Sequence, residues 1–269
     1  MTDKDLILVR GGGDIATGSI QKLWHAGYPV LVLESDQPSA IRRYVALSEA
    51  VYEGEWKVED MTGIRVDTLA AAKTAIDSGK IPVMADPSLQ ILKEIRPFAL
   101  VDAILAKRNL GTTRGMAGIT IALGPGFLAG IDVDAVVETM RGHDLGRLIF
   151  SGGALPDTGV PGLIDGYGKE RVVHAPASGI FESVRRIGDA IQKGETIARI
   201  GEVPVPAGIG GIIRGMIRDG YRTTEGLKIA DIDPRLSQAA NCYTISDKAR
   251  CIGGSVLEAM IMLKNRKVI

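Results

Sequence analysis

Through the first half of the chain, short runs of consecutive apolar residues alternate with stretches whose apolar positions recur at helical spacing. The run 6–9 is apolar at every position and is followed at once by Gly11, Gly12 and Gly13. Residues 16–26 then read as a helix, with Ile15, Leu23 and Trp24 as apolar positions and Gly27 placed to end it. The runs 30–33, 64–66, 81–85, 99–101 and 119–123 read as further strands. Between them, Asp67 is expected to cap a helix over 68–77 that Gly79 stops, and Pro87 to open another short helix. Strands that are apolar throughout are buried on both faces, and helices between them predict a parallel sheet.

After about Ser151 the pattern changes to repeated Gly, Pro and short Ile/Val runs, with no long helix until 247–264. An internal repeat appears here at an offset of 32 residues. Gly179-Ile180 matches Gly211-Ile212, Arg186 matches Arg218, Gly188 matches Gly220, Gly194 matches Gly226, and Ile197-Ala198 matches Ile229-Ala230. Such a repeat predicts two copies of one supersecondary unit packed together. Its order of strand, glycine turn and strand over 175–233 resembles the half-motif of biotinyl and lipoyl domains, a barrel-sandwich hybrid. Those carriers display a modified lysine on a hairpin between the halves. The equivalent stretch here, 201–206, reads Gly-Glu-Val-Pro-Val-Pro and has no lysine, so the resemblance implies the fold and not the carrier function. In the last segment Asp247 is expected to cap a helix whose positions Ile252, Val256, Leu257, Met260 and Leu263 form an apolar face.

The fold class expected is therefore α/β. A Rossmann-like parallel-sheet domain covers 1–160, a small all-β barrel-sandwich hybrid 165–235, and a C-terminal segment 236–269 carries a helix that packs back on the first domain. Composition narrows the setting. With 32 basic and 32 acidic side chains the formal net charge is zero, which argues against a surface tuned for nucleic acid or anionic membrane. Two cysteines make no disulfide framework, and neither the opening residues nor the glycine-interrupted uncharged run 115–131 reads as a signal or membrane segment. The expected compartment is the cytoplasm, with a homo-oligomer compatible. The 34 glycines, about 13% against a usual ~7%, predict many tight turns.

Candidate chemistry gathers at strand ends. Gly11, Gly12, Gly13, Asp14 and Ala16 form Gly-x-Gly-x-x-Ala between a strand and a helix, a version of the dinucleotide fingerprint, in which a phosphate approaches the backbone at the helix N-terminus. Glu34 ends the second strand where a ribose-binding carboxylate would lie. Asp14 would repel that phosphate unless it binds a metal or faces away. Asp102 and Lys107 follow the strand at 99–101, with Asn109 and a Gly-Thr-Thr-Arg stretch close behind; Lys107 is suited to a phosphate or carboxylate, and Asp102 to positioning it. Gly124 and Gly126 flank Pro125 after the strand at 119–123. Of three histidines, His143, next to Arg141 and Asp144, is the best acid/base candidate, and Arg141 the best further cation. If the sheet is open, these groups share one crevice. Each has a plainer reading as a packed turn or a solvated loop. Cys242 and Cys251 fit no metal-ligand spacing, and an inert thiol is the plainer reading for each.

Five strings together are specific: Arg10 to Gly18, Leu123 to Phe127, Glu138 to His143, Asp231 to Arg235 and Ile245 to Arg250. They resemble the YqeB-type family of selenium-dependent molybdenum hydroxylase maturation proteins over nearly the whole chain, a family distantly similar to XdhC/CoxI-type molybdenum cofactor insertion factors. The resemblance implies an accessory protein that binds a nucleotide-containing small molecule, such as a molybdopterin dinucleotide, and acts on a molybdenum hydroxylase apo-enzyme. It implies no reaction and carries over no catalytic residue. Two rivals stand beside it: an NAD(P)-dependent oxidoreductase, resting on the glycine turn and Glu34, and a non-catalytic interaction scaffold.

Overall fold

A computed structural model describes residues 5–160 and 162–266 of the chain. Two units are distinguished: the first takes the described parts of Met1–Pro38, Ala46–Thr158 and Ile245–Ile269, and the second those of Ser39–Val45 and Gly159–Thr244.

In the first unit, β1 (Ile7–Arg10), β2 (Val30–Glu34), β3 (Glu55–Val58), β4 (Met61–Arg65), β5 (Ile81–Ala85), β6 (Ala99–Asp102), β7 (Ile119–Leu123), β8 (Ala135–Val137) and β9 (Leu148–Ile149) form a nine-stranded sheet of order β3-β4-β5-β2-β1-β6-β7-β8-β9. The strands from β4 through β8 in that order pair in parallel, while β3 and β9 close the edges antiparallel. The Rossmann-like, all-parallel sheet expected from the apolar runs is thus corrected to a mixed sheet. The runs located the buried central strands, whose few polar positions, such as Arg10, Asp102 and Thr120, are themselves buried. They could not show β3, a half-exposed strand in which Glu55 and Lys57 alternate with Trp56 and Val58, joined to β4 by a tight turn with Glu59 at a φ of 52°. β8 and β9 are short and were likewise missed.

Four helices belong to this unit: α1 (Asp14–His25), α2 (Ala50–Glu53), α3 (Leu69–Asp77) and α4 (Asp247–Arg266). Two cap assignments shift by one residue. Thr68, not Asp67, accepts the Ala71 N–H at the start of α3, and the Ser246 hydroxyl, not Asp247, accepts the Ala249 N–H at the start of α4. The α4 face of Ala249, Ile252, Val256, Ala259, Met260 and Leu263 is buried. It meets α1 at glycines: a Cβ on Gly18 would lie 2.4 Å from the Ala249 carbonyl oxygen, and one on Gly253 would lie 2.3 Å from the Gly18 carbonyl oxygen. Contacts advance in the same sense along both helices, with Gly18 near Ala249 and Lys22 near Gly253, so their N-terminal ends lie side by side.

The second unit holds two four-stranded antiparallel sheets. One has the order β10 (Val172–His174), β17 (Lys228–Asp233), β15 (Gly211–Met216), β12 (Ala190–Ile191); the other β14 (Val203–Pro206), β13 (Thr196–Ile200), β11 (Gly179–Ser183), β16 (Arg222–Thr223). The offset of 32 residues relates β11 to β15, β12 to β16 and β13 to β17, and the matched glycines 188/220 and 194/226 all have positive φ. The biotinyl/lipoyl-like barrel-sandwich assignment is not supported and is replaced by this pair of sheets. A repeat specifies which strands pair, but the edges are built from outside it, by β10, by β14 with its two prolines, and by Ile41, whose carbonyl accepts the Met216 N–H.

Candidate functional site

The order of the large sheet reverses direction at β1. The chain lays β2 beside β1, jumps to the sheet edge at β3, returns inward through β4 to β5 beside β2, then crosses to lay β6 on the other flank of β1. In open α/β sheets, ligands bind outside the carboxyl ends of the strands at such a reversal. The predicted clusters all begin at those ends.

The three glycines after β1 have different tasks. Gly11 adopts a φ of 94°, and a Cβ there would lie 3.0 Å from the Ala103 carbonyl oxygen. Gly12 is packed against the segment 47–49: a Cβ would stand 2.9 Å from the Ser48 nitrogen, whose N–H donates to the Gly12 carbonyl at 2.9 Å. Gly13 differs from both. Its φ is −65°, it starts α1 without any side-chain cap, and a Cβ on it would meet nothing within 4 Å. Thr17 locks the turn from inside the helix, donating to the Gly13 carbonyl at 2.8 Å and accepting the Leu47 N–H at 3.1 Å. Ala16 is fully buried, as close packing of helix on sheet requires.

Glu34 lies beside this turn, but both of its carboxylate oxygens are engaged. One accepts the Gly12 N–H at 2.8 Å and the other the Ser35 N–H at 2.7 Å. Glu34 therefore supplies the anion that satisfies the glycine turn at Gly12, leaving Gly13 as the open approach to the backbone. A carboxylate so committed is poorly placed to grip a ribose hydroxyl.

Asp102 pairs with Arg10 across the β1–β6 register. Arg10 donates to its Oδ2 at 3.1 Å and to Thr112 Oγ1 at 2.6 Å, and Thr112 donates to the same oxygen at 2.6 Å. All three side chains are buried, so Asp102 braces the strand ends. Lys107 sits on the loop beyond and forms an exposed ion pair with Asp157 at 2.6 Å. Asn109 shapes the loop, its Oδ1 accepting the Gly111 and Thr112 N–H groups at 2.8 Å each. Leu105 and Lys107 both take left-handed backbone conformations, φ 60° and 62°, the kind of local strain that clusters at functional sites.

This loop joins the other two clusters. Ala103 and Ile104 abut Gly11, the Leu105 side chain reaches Gly124, and a Cβ on Gly126 would lie 2.5 Å from Arg108 Cα. The loops after β1, β6 and β7 are thus contiguous. The loop after β8 is held by Glu138, which is buried and accepts the Thr139 and Met140 N–H groups at 2.7 Å each and the Leu155 N–H at 2.8 Å. Beyond it Arg141 makes two 3.0 Å hydrogen bonds to Asp247 at the start of α4. His143 is exposed in the turn that follows and makes no hydrogen bond or ion pair among the described residues.

One residue was missed in the sequence. Lys248, half-buried in the first turn of α4, lies among Arg141, Asp14, Glu138 and Asp247. Burial holds its amine below the ordinary lysine range. The Arg141 charge adds to that, and Asp14, Glu138 and Asp247 oppose it. The available signal was a cation in the first helical turn, where the helix dipole disfavours it. Among the described residues no group of three or more His, Cys, Asp or Glu side chains is placed to hold a metal ion. Cys242 is buried in the core of the second unit, where burial pushes its thiol up; Cys251 is exposed on α4, its Sγ 3.6 Å from the Leu145 carbonyl.

No protein-family model matches the chain. It is 49% identical over 263 residues to the uncharacterized protein YqeB of Escherichia coli K12, a match covering 98% of this chain and 48% of that protein. The chain spans about half the length of that curated relative. Among solved structures, an aspartoacylase family protein of Mesorhizobium loti is similar at 12% identity, with 86% of this chain and 85% of that one covered and a TM-score of 0.30. A succinylglutamate desuccinylase/aspartoacylase of Rhodobacter sphaeroides follows at 15% identity, 86% of each chain covered and a TM-score of 0.26. The ectoine utilization protein EutE (DoeB) of Ruegeria pomeroyi, with product bound, gives 13% identity, 84% of this chain, 56% of that one and a TM-score of 0.24. At such scores none assigns a function to this chain.

Proposed function

We propose that the chain binds a phosphate-bearing, nucleotide-containing small molecule at the carboxyl end of its large sheet, and serves as an accessory protein in the maturation of a molybdenum hydroxylase. The observation that carries the ligand reading is the contrast within the glycine turn. Gly11 and Gly12 are closely packed, whereas Gly13 presents backbone at the start of α1 to open space, where an anion meets helix N–H groups and the positive end of the dipole. Lys107, on the loop after β6, and Arg141, on the loop after β8, each paired with an aspartate, are the cations such a site would draw on. The hydroxylase as partner rests on the five sequence strings, and a molybdopterin dinucleotide combines the phosphates and nucleotide that this site suits.

Calorimetric titration with nucleoside diphosphates and molybdopterin dinucleotides tests the first part. Gly13→Val adds a branched side chain over the open backbone at a φ that valine adopts freely. It is expected to weaken binding by about tenfold or more, ~1.4 kcal/mol, with the melting temperature unchanged. Gly12→Ala is expected instead to lower the melting temperature, because its Cβ drives into the Ser48 backbone. Wild-type protein that binds none of these molecules, or a Gly13→Val variant that binds as wild type does, overturns the reading. The second part is tested by the molybdenum content of the hydroxylase in cells lacking this protein, which is expected to fall and to be restored by the wild-type gene alone.

A further inference from the structure

The string Asp231 to Arg235 overlaps the end of β17 in the second unit, and the ligand reading above makes no use of it. Both of its carboxylates are buried and both are engaged. Asp233 receives Arg235, whose Nε donates to Oδ1 at 2.9 Å and whose NH2 donates to Oδ2 at 2.8 Å. Asp231 receives Arg171, whose NH1 donates to Oδ1. A third guanidinium, Arg214 of β15, comes to Asp231 second: its NH1 lies 3.5 Å from Oδ2 and makes no hydrogen bond there. Three arginines thus stand against two aspartates, and the unmatched charge is that of Arg214. Arg214 makes no hydrogen bond among the described residues, and its side chain is 17% exposed, which leaves its donors within reach of solvent. Arg171 is buried, and its Nε has no hydrogen-bond partner.

The internal repeat shows a different way for this fold to place the same charges. At the offset of 32 residues, Glu182 and Arg199 hold the places of Arg214 and Asp231. They are register partners on β11 and β13 and both are exposed, an ordinary cross-strand pair. In the second copy the signs are exchanged, the pair is drawn out of water, and a second guanidinium is brought to the aspartate by Arg171. A further buried arginine, Arg42, follows Ile41, whose carbonyl accepts the Met216 N–H two residues past Arg214. Positive charge in excess and largely out of water is costly unless an anion offsets it.

We propose that the second unit carries an oxyanion-binding site at Arg214, which takes the phosphate or carboxylate group of a small molecule. A guanidinium presents paired N–H donors in one plane, and these match two oxygens of either group. Arg214 supplies the open donors. Arg171 neutralises Asp231, the carboxylate that would otherwise repel the incoming anion. Every residue invoked belongs to the second unit, so the site is independent of the glycine turn.

The experiment is modification of the native full chain with phenylglyoxal, which reacts with arginine, read residue by residue by peptide mass spectrometry. It is run without added oxyanion, with inorganic phosphate and with acetate, all at one ionic strength so that general screening is constant. Exposed Arg199 and Arg222 serve as internal references. At saturation one of the two ions is expected to slow the Arg214 reaction about tenfold or more relative to the references. Protection by phosphate alone assigns a phosphoryl ligand, and protection by acetate alone a carboxylate. Arg214 slowed by neither ion more than Arg199 and Arg222 are overturns the proposal in the wild-type protein, with no variant needed. Gly13→Val is expected to leave the protection of Arg214 unchanged, so loss of nucleotide binding at the glycine turn and loss of protection here are separate results. Arg214→Met keeps the aliphatic stem and removes the charge. In buffer free of phosphate and carboxylates its melting temperature is expected to equal or exceed that of the wild type, because no hydrogen-bonded partner is lost. A clear fall would make Arg214 a structural partner of Asp231 and overturn the proposal as well.

Discussion

Replacing Asp102 by alanine is expected to cost about 3–5 kcal/mol of folding stability, the range for stranding one member of a buried ion pair. The Arg10 guanidinium is 4% exposed, and its NH1 donates only to Asp102 and Thr112, at 3.1 and 2.6 Å. Without the carboxylate, a full charge remains at the ends of two central strands with only neutral partners, the Thr112 hydroxyl and the Leu110 carbonyl, and Thr112 loses its acceptor as well. Urea unfolding followed by circular dichroism reads the loss directly. The comparison that isolates the mechanism is the double replacement Arg10→Met with Asp102→Leu. Removing both charges abolishes the desolvation cost along with the attraction, so the pair is expected to cost less than Asp102→Ala alone. A loss below about 1 kcal/mol for Asp102→Ala would show that water reaches Arg10, and the brace would then be an ordinary surface pair.

That brace explains why Asp102 looked like chemistry in the sequence. A carboxylate one residue past a buried apolar run is where a catalytic acid would sit, and it is also where parallel register sets it beside the arginine ending the neighbouring strand. Pattern locates the strand end without saying what lies across from it. Glu34 has the same history: its position at the end of β2 was legible, but its engagement by the Gly12 and Ser35 N–H groups depends on backbone that only the folded turn defines. Lys248 was invisible for the opposite reason. It follows Asp247 in a helix whose apolar face was plain from spacing, and the other charged groups that act on it, Arg141, Asp14 and Glu138, are more than a hundred positions away in sequence.

The central strands were legible because burial on both faces leaves a nearly unbroken apolar run, as in β1 and β2, which turn polar only at their last residues, Arg10 and Glu34. Edges obey a weaker code. β3 alternates polar and apolar residues over only four positions, too short to stand out from a loop, so the antiparallel edge that makes the sheet mixed went unread. In the second unit the repeat supplied the pairing of like strands, whereas Ile41, which meets Met216 and Gly215 there, comes from far earlier in the chain.

Gly253→Ala and Gly254→Ala should have opposite signs, although the two glycines are neighbours in one helix. Alanine gains about 0.8–1 kcal/mol over glycine in a helix interior, and at Gly254, exposed with nothing within 4 Å of a Cβ, that gain is all there is. Gly254→Ala is expected to stabilise the protein by about 0.5–1 kcal/mol. At Gly253 the added carbon would sit 2.3 Å from the Gly18 carbonyl oxygen and 2.7 Å from its carbon. These are backbone atoms of α1 and cannot rotate aside, so the two helices must separate. Overpacking of this kind costs typically about 1–3 kcal/mol, which exceeds the propensity gain, and Gly253→Val, with its branched chain, extends the cost further. The reciprocal contact makes Gly18 equally intolerant, since its Cβ would lie 2.4 Å from the Ala249 carbonyl oxygen. Thermal unfolding of the two variants reads the difference in sign directly, and equal shifts would show that α1 yields at Gly18.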